Sequence, residues 1–236
     1  MTYERIKNGL KKRLYKLIGL KPINITVHDY PVEKIGGPDY GHWYIPTGIL
    51  KEDSICYCAG VGEDISFDLD LVKRGCKVFS FDPTPRAIEY VKRFGKGITF
   101  LPVGLWSSDM KKKFYVPRNP TFVSHSISNM GHTTDYFEAE CRSVKSIMKS
   151  HGHTELDLLK MDIEGAEYEV IYSVLKENIP VKIIAVELVE LFSPFDADSV
   201  FRIRKLLKTL ENHGYILVNY DKNEHNLTFI NNKLVI

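Results

Sequence analysis

An acidic block follows an apolar run in the second half of the chain. The run from Leu158 to Met161 has the composition of a buried strand, and Asp162, Glu164 and Glu167 follow it before apolar residues resume at helical spacing. In α/β proteins, ligands and chemistry are placed where the carboxyl end of a parallel strand meets a helix amino terminus. Two roles are open for these carboxylates: chemistry in a cleft, or capping of the helix and compensation of its positive end.

A second candidate site lies earlier in the chain. Gly60 and Gly62 fall between a predicted strand and a predicted helix, and Asp82 ends the next predicted strand, 20 residues after Gly62. Glycines let the backbone approach a ligand closely, and a carboxylate at the second strand tip can accept hydrogen bonds from both hydroxyls of a ribose. The pattern indicates a nucleoside ligand. The alternative for Asp82 is a turn residue before Pro83.

Two cofactor classes fit this glycine pattern. A dinucleotide site requires a small residue three positions after the second glycine, and Ile65 stands there. Glu63 and Asp64 would also place two negative charges beside a pyrophosphate, which is unfavourable at short range. S-adenosylmethionine carries a ribose without phosphate, and its sulfonium and amino groups are cationic. The residues therefore favour S-adenosylmethionine over a nicotinamide dinucleotide.

Three segments together resemble the FkbM family of S-adenosylmethionine-dependent methyltransferases. They are Cys58–Asp68, Phe81–Pro85 and Leu158–Glu167, and the last contains the highly characteristic run Lys-Met-Asp-Ile-Glu-Gly-Ala-Glu. The resemblance covers about residues 40–190. It implies an α/β, Rossmann-like three-layer sandwich of the class I methyltransferase type, with a seven-stranded, mostly parallel sheet whose last strand is antiparallel. It also implies methyl transfer, most often to oxygen.

The resemblance assigns cofactor roles by position. Gly60 and Gly62 would form the cofactor loop, Asp82 would hold the ribose, and Gly104 and Leu105, together with Val103, would border the adenine. Many class I enzymes carry an acid where this chain has Cys58. The contact to the methionine amino group therefore passes, by expectation, to Glu63 or Asp64.

The acceptor side needs a group that removes a proton, since a general base is typically worth ~10²–10⁴-fold in rate. Asp162 follows the predicted strand at residues 156–161 and Glu187 nearly ends the predicted strand at residues 181–188, so both should face the cleft, with Glu190 as a weaker candidate. His125 comes from a polar insert that could fold over the same opening. An alternative is that Asp162, Glu187 and His125 converge on a divalent cation; this metal site is possible but not favoured.

The predicted elements alternate in a way that positions these side chains. Such alternation implies a parallel sheet with helices on both faces, closed by a hairpin. The predicted strands are residues 54–59, 77–82, 98–103, 113–117, 137–143, 156–161, 181–188, 215–220 and 227–230, and the predicted helices are residues 64–74, 86–94, 144–150, 164–177 and 198–213.

Composition and charge place the chain among single globular domains. It has 236 residues, 44% of them hydrophobic, and a net charge of +2. We expect residues 1–50 to form a basic amphipathic helix, at residues 3–18, and an irregular cap, and residues 51–236 to form the methyltransferase domain. The absence of a signal sequence and of a long apolar run predicts a cytoplasmic protein without a membrane span. The four cysteines should be buried and reduced.

These expectations combine into a functional hypothesis. The chain should be an O-methyltransferase that acts on a small polar acceptor, with a sugar or nucleotide sugar suggested by the family resemblance alone. A nucleic acid substrate is disfavoured because basic residues form no stripe across the motif region. A homodimer is possible. The alternatives are a nicotinamide-dependent oxidoreductase and a catalytically degenerate binding module.

Overall fold

The computed structural model describes residues 23, 25–116, 127 and 133–235. The strands are β1 (Val32–Gly36), β2 (His42–Pro46), β3 (Ile55–Ala59), β4 (Lys77–Phe81), β5 (Thr99–Leu101), β6 (Gly104–Leu105), β7 (Met110–Tyr115), β8 (Tyr136–Arg142), β9 (Leu156–Met161), β10 (Val181–Glu187), β11 (Tyr215–Asp221) and β12 (Asn226–Asn231). The helices are α1 (Ser66–Lys73), α2 (Pro85–Phe94), α3 (Val144–His151), α4 (Glu167–Lys176) and α5 (Ser199–Asn212), with a short 3₁₀ helix at Val189–Leu191.

The central sheet has seven strands in the order β11-β12-β10-β9-β3-β4-β5. Strands β5, β4, β3, β9 and β10 pair in parallel, whereas β12 is antiparallel to both β10 and β11. Six strands therefore run in one direction, and β12, the last in the chain, is reversed. This confirms the α/β fold class that the family resemblance implied. A separate sheet in the order β6-β8-β7 stands beside it.

Both faces of the central sheet are covered, which explains the uninterrupted apolar composition of its inner strands. Tyr57 and Leu159 face a core completed by α3, α4 and α5, whereas Cys56, Cys58 and Leu158 face a core completed by α1 and the hairpin of β1 and β2. Side chains alternate between the two faces because a strand has a period of two. The chain therefore forms three layers, and its four cysteines are buried and free, as expected.

The amino-terminal cap is more regular than the sequence suggested. Residues 32–46, expected to be irregular, form the antiparallel hairpin β1–β2, with Trp43 and Ile45 in the core. The hydroxyl of Thr228 donates to the carbonyl of Tyr44 at 2.8 Å and joins the hairpin to β12. The prediction of an irregular cap was wrong because alternating apolar residues can also form two strands that pair only with each other, without a parallel neighbour. The predicted basic helix at residues 3–18 lies outside the described residues.

The predicted helices and strands of the central fold are present, with ends that differ by a few residues. The largest difference at the candidate site is that α4 begins at Glu167 rather than at Glu164. Residues 162–166 instead form a connecting turn, in which Glu164 and Gly165 have φ values of 53° and 105°. Within the part of the chain that the structure describes, no helix is long and apolar enough to cross a membrane.

Candidate active site

One cavity lies at the carboxyl ends of β3, β4, β9 and β10, where this fold class binds its ligands. Its volume is about 420 Å³, which is in the range of small-molecule sites. Nine residues selected from the sequence line it together: Gly60, Gly62, Glu63, Asp64, Asp82, Gly104, Leu105, Asp162 and Glu187. His125, the tenth, lies outside the described residues. Val103, named with Gly104 and Leu105, packs against the main core instead.

The glycine loop is held against the tip of β9. Gly60 has a φ of 83°, and a Cβ atom placed on it would lie 1.7 Å from the carbonyl oxygen of Asp162. The amide of Asp162 donates to the carbonyl of Ala59 at 3.1 Å, which joins the two loops by their backbones. Gly62 also has a positive φ, 54°. Glycine is therefore required at position 60 for conformation and for space.

Asp82 holds the glycine loop through its side chain. Its Oδ2 atom accepts hydrogen bonds from the amides of Val61 and Gly62, each at 3.0 Å. Its Oδ1 atom accepts from the amide of Thr84 at 2.8 Å and from the Thr84 hydroxyl at 2.6 Å. Asp82 is only 6% exposed. These four bonds fix the glycine loop to the end of β4.

Lys160 is a site residue that the sequence reasoning did not select. It is buried in β9, lines the cavity, and its ammonium group donates to the carbonyl of Gly60 at 2.8 Å and of Ala59 at 3.3 Å. Burial raises the pKa of Asp68, and the nearby positive charge of Lys160 counters that shift. A charged residue inside an otherwise apolar strand was the signal, because lysine is almost never buried without partners.

Asp162 and Glu187 form a pair of carboxyl groups at the tips of β9 and β10. Burial, reinforced by the charge of Asp162 and by a hydrogen bond with it, raises the pKa of Glu187 to about 10. Glu187 therefore holds a proton at neutral pH and can donate it to the Asp162 carboxylate. The negative charge of Asp162 acts in this direction because a second negative charge beside it is unfavourable. The sequence-based expectation that both would face the same cleft agrees with this geometry.

Glu167 takes the capping role that was open for Asp162. It is buried, and its two carboxylate oxygens accept hydrogen bonds from the amides of Ile163 and Gly165, both at 2.9 Å. Burial is the main reason why its pKa is raised to about 8. The helix α4 has no side-chain cap at Ala166. Asp162 is therefore left to face the cavity, because Glu167 satisfies the amides of the turn.

Glu190, the weaker candidate base, lies outside the cavity and binds residues of α5. It is buried behind β10, where it accepts hydrogen bonds from Ser199 at 2.7 Å and from the guanidinium group of Arg202. Burial acts to raise its pKa, but the hydrogen bonds from Arg202, Ser199 and Tyr168 outweigh burial and lower it. Glu190 does not line the cavity. It anchors α5 to the end of β10.

The two acids after the glycine loop have different surroundings. Glu63 forms a bidentate ion pair with Arg86, at 2.6 and 3.1 Å, on the outer side of the loop. Asp64 accepts a hydrogen bond from the amide of Ser66 at 2.7 Å, at the start of α1. The Glu63 carboxylate is neutralised by Arg86, whereas Asp64 has no such ion pair with any residue that the structure describes. Asp64 is therefore the better placed of the two to bind a cationic group of a ligand.

Tyr40 projects over this acidic cavity. Burial of its hydroxyl raises its pKa to about 12, and the charges of Asp162, Glu187 and Asp64 add to that shift. Its side chain is nevertheless 64% exposed, so it stands at the mouth of the cavity. The described lining includes one lysine, Lys160, and eight acidic residues: Glu63, Asp64, Asp68, Asp82, Asp162, Glu164, Glu187 and Glu224.

The metal alternative depended on three residues converging. Asp162 and Glu187 do lie together, but the third, His125, is outside the described residues. Among residues 23, 25–116, 127 and 133–235, no group of three or more His, Cys, Asp or Glu side chains is arranged to hold a metal ion.

Comparison with known protein families agrees with this geometry. Residues 54–217 match the methyltransferase FkbM domain, which includes the glycine loop, Asp82, Asp162 and Glu187. The chain belongs to the FkbM methyltransferase family. The family is one of S-adenosylmethionine-dependent methyltransferases, and the cavity lined by the glycine loop lies where folds of this class bind their ligands.

The curated relatives of this FkbM protein are longer. The chain is 25% identical over 124 residues to a probable methyltransferase-like protein 24 of Rattus norvegicus, covering 52% of this chain and 29% of that protein. The Homo sapiens protein of the same description is 24% identical over 124 residues, with 28% of its length covered. The chain thus spans under a third of the length of these relatives.

Solved structures with a detectable likeness include the fibrillarin pre-rRNA processing protein of Methanococcus jannaschii, with a TM-score of 0.43, 14% identity, and coverage of 89% of this chain and 85% of that chain. The precorrin-6y C5,15-methyltransferase of Geobacter metallireducens has a TM-score of 0.41 and 13% identity, with 77% of this chain and 82% of that chain covered.

Proposed function

We propose that the protein is an S-adenosylmethionine-dependent O-methyltransferase that methylates a hydroxyl group of a small polar acceptor, a sugar or a nucleotide sugar. The observation that carries the proposal is the carboxyl pair Asp162–Glu187, which lines the same cavity as the glycine loop. A proton-accepting group beside the cofactor is what a hydroxyl acceptor needs, because the hydroxyl must lose its proton as the methyl group arrives.

The residues present fit the cofactor. Gly60, Gly62 and Val61 offer backbone at close range to a nucleoside, and the acidic lining suits a ligand with cationic groups. When bound, S-adenosylmethionine supplies a methyl group on a positively charged sulfur. Asp64 and Asp162 are placed to attract positive charge, and Asp82 fixes the loop on which the nucleoside rests. A ribose contact by Asp82 is part of the proposal.

The carboxyl pair gives the acceptor site its chemistry. Glu187 holds a proton at neutral pH and forms a hydrogen bond with Asp162, so Asp162 is the member of the pair that we propose as the base. The Asp162 carboxylate then orients the acceptor hydroxyl and takes its proton as the oxygen forms its new bond to carbon. The O–H bond breaks and the proton goes to the Asp162 oxygen, while the bond between the methyl carbon and the donor sulfur would break and S-adenosylhomocysteine would leave. Alignment of the two reactants supplies the larger share of the reduction in activation free energy, up to roughly 7–11 kcal/mol in favourable cases.

The lining argues against the nicotinamide alternative. Ile65 is buried behind the loop where a dinucleotide site needs a small residue. Asp64 and Asp162 would face a pyrophosphate with like charges. The one lysine among the described lining residues, Lys160, already donates to two backbone carbonyls. The degenerate binding-module alternative is countered by the intact glycines, Asp82 and the acidic strand tips.

Two experiments test the proposal. Isothermal titration calorimetry with S-adenosylhomocysteine and with NAD should show binding of the first only; binding of NAD alone would overturn the proposal, and binding of neither would favour the non-enzymatic module. A panel of sugars, nucleotide sugars and small alcohols should then release S-adenosylhomocysteine. Mass spectrometry of the product must place the methyl group on oxygen, and a run with chelator tests the metal alternative.

The remaining expectations stay predictions. They are the cytoplasmic location, the homodimer, and the division of the chain into a cap at residues 1–50 and a methyltransferase domain at residues 51–236. His125 stays a predicted base or metal ligand.

A further inference from the structure

A row of polar residues crosses three neighbouring strands at one wall of the cavity. Glu187 of β10 pairs in register with Asn226 of β12, and Asn226 pairs in register with Asp221 of β11. Residues directly opposite each other in antiparallel strands project from the same face of the sheet. The side chain of Asn226 therefore lies beside that of Glu187, one half of the carboxyl pair. Glu187 and Asn226 both line the cavity.

Two residues of this wall have a buried polar atom without a partner. Asn226 is 7% exposed, and its Oδ1 atom has no hydrogen-bond partner; His42 is 8% exposed, and its Nδ1 atom has none. Both residues line the cavity. An unpaired buried polar atom costs stability, so native proteins pair nearly all of them. Neither of these two unpaired atoms adds to the stability of the fold.

Asp221 sets the orientation of the histidine. Its Oδ1 atom accepts a hydrogen bond from the amide of Asn223 at 2.8 Å, which fixes the turn between β11 and β12. Its Oδ2 atom lies 3.6 Å from Nε2 of His42. The Asp221 carboxylate faces Nε2, so Nδ1 is the ring nitrogen that has no partner in the described part of the fold. The unpaired atoms of His42 and Asn226 are thus both available to a ligand.

We infer that His42 and Asn226 form a recognition subsite for the methyl acceptor, in which Oδ1 of Asn226 accepts a hydrogen bond from a group that flanks the methylated hydroxyl and Nδ1 of His42 forms a hydrogen bond with a second such group. This inference rests on the proposed function and narrows its substrate class to compounds with several neighbouring hydroxyl or amino groups, such as a sugar ring. A lipid chain or a single isolated alcohol would leave both atoms unpaired. A phosphate group would bring a further acceptor to face Oδ1 of Asn226.

The first test separates recognition from structure. Leucine has nearly the shape of asparagine and no polar atom, so Asn226→Leu removes the unpaired Oδ1 without opening a cavity. We expect the melting temperature with bound S-adenosylhomocysteine to equal or exceed that of the wild type, and the affinity for S-adenosylhomocysteine to be unchanged. KM for the best acceptor of the panel should rise about tenfold or more, which is the worth of one hydrogen bond of ordinary strength, with little change in kcat.

A matched control exists one strand away. Asn219 of β11 also has a buried side-chain atom without a partner, Nδ2, but it does not line the cavity. Asn219→Leu should change the melting temperature in the same direction as Asn226→Leu and leave KM unchanged. His42→Gln is the second variant of the subsite and should raise KM as Asn226→Leu does.

The second test changes the acceptor. The best sugar of the panel is compared with its deoxy analogues, each lacking one hydroxyl beside the methylated position. With the wild type, one deoxy analogue should show a KM raised by the same factor as the KM of the parent sugar with Asn226→Leu. The KM of that analogue with Asn226→Leu should be raised no further than by either change alone.

Several outcomes overturn the inference. They are an unchanged KM in both subsite variants, a marked fall in the melting temperature of Asn226→Leu without any change in KM, or methylation of isolated alcohols but of no polyol. In each of these cases the protein still binds S-adenosylhomocysteine or still forms it by methylating an oxygen acceptor, so the proposed methyltransferase function stands. Absence of cofactor binding would instead refute that function.

Discussion

Gly60 and Asp162 are in such close contact that a single methyl group on Gly60 would lie 1.7 Å from the carbonyl oxygen of Asp162. The contact joins the cofactor loop after β3 to the acidic tip of β9. The two halves of the proposed reaction, methyl donor and proton acceptor, are therefore set at a fixed distance by backbone rather than by side chains. Flexible side chains could not hold that distance as constantly.

The first prediction concerns this contact. Gly60→Ala should destabilise the fold by about 3 kcal/mol or more, because it adds a collision with backbone to the strain of a positive φ. Gly48→Ala is the matched control: Gly48 has a φ of 78°, and a Cβ atom there would meet nothing within 4 Å. It should cost only the strain, about 1–2 kcal/mol. Urea unfolding measures both; equal losses would contradict the role of the contact.

The second prediction separates the members of the carboxyl pair. Asp162→Asn removes the proposed proton acceptor and should lower kcat by about 10²–10⁴-fold, while the protein remains folded. Glu187→Gln retains a donor toward Asp162, as the protonated acid does, so its loss should be the smaller of the two. Steady-state rates with a saturating acceptor decide the matter. Full activity in Asp162→Asn would remove Asp162 from the catalytic residues.

The third prediction is a pH dependence of stability. The pKa of Glu187 rises from 4.5 to about 10 on folding, so between these values the folded state binds a proton that the unfolded state has released. Stability from this group is fully present at low pH and is lost as pH rises toward 10, with a slope of at most about 1.4 kcal/mol per pH unit. Glu187→Gln should flatten the curve of unfolding free energy against pH across this window. Glu167, with its pKa raised to about 8, acts with the same sign in both proteins and cancels in the comparison.

The fourth prediction concerns the support of the cofactor loop. Asp82→Asn replaces one acceptor oxygen by a donor, so either the amides of Val61 and Gly62 or the groups of Thr84 lose their partner. We expect the affinity for S-adenosylhomocysteine to fall by about tenfold or more, since one such loss costs about 1–3 kcal/mol. Thr84→Val removes only one of the four bonds and should have the smaller effect in calorimetry. Unchanged affinity in Asp82→Asn would exclude Asp82 from cofactor binding.

The fifth prediction concerns Lys160. Lys160→Met should lower the unfolding free energy by about 3 kcal/mol, because it leaves Asp68 buried without a positive charge and two carbonyls without a donor. The double variant Lys160→Met with Asp68→Asn should be more stable than the two separate losses predict. Additive losses in a double-mutant cycle would mean that the two residues are not coupled.

The cofactor half of the cavity was largely predictable from the sequence. Gly60, Gly62 and Asp82 have a fixed spacing, and the alternation of strands and helices brings them to one edge of the sheet. Asp162 followed from the same logic, because the carboxyl ends of parallel strands share an edge. Its freedom from capping did not follow, since that depends on Glu167 reaching back to Ile163 and Gly165.

The acceptor wall was not predictable in this way. Asn226 stands beside Glu187 only because β12 inserts between β10 and β11, and strand order is not written in local periodicity. Likewise, His42 reaches this wall only because the hairpin β1–β2 packs against β11 and β12. Glu190 was suggested by its nearness in sequence to Glu187, but Arg202 of α5 binds it away from the cavity.

The hairpin β1–β2 packs against β11 and β12, so the cavity is lined both by residues inside the segment that matches the family model and by residues outside it. The segment that matches the family model, residues 54–217, contributes the glycine loop and the carboxyl pair, whereas His42, Asp221 and Asn226 come from outside it. If His42 and Asn226 bind the acceptor as inferred, changes in the two flanking segments alter the choice of acceptor and leave the glycine loop and the carboxyl pair unchanged. Exchange of these segments between family members is accordingly a direct route to enzymes with new acceptors.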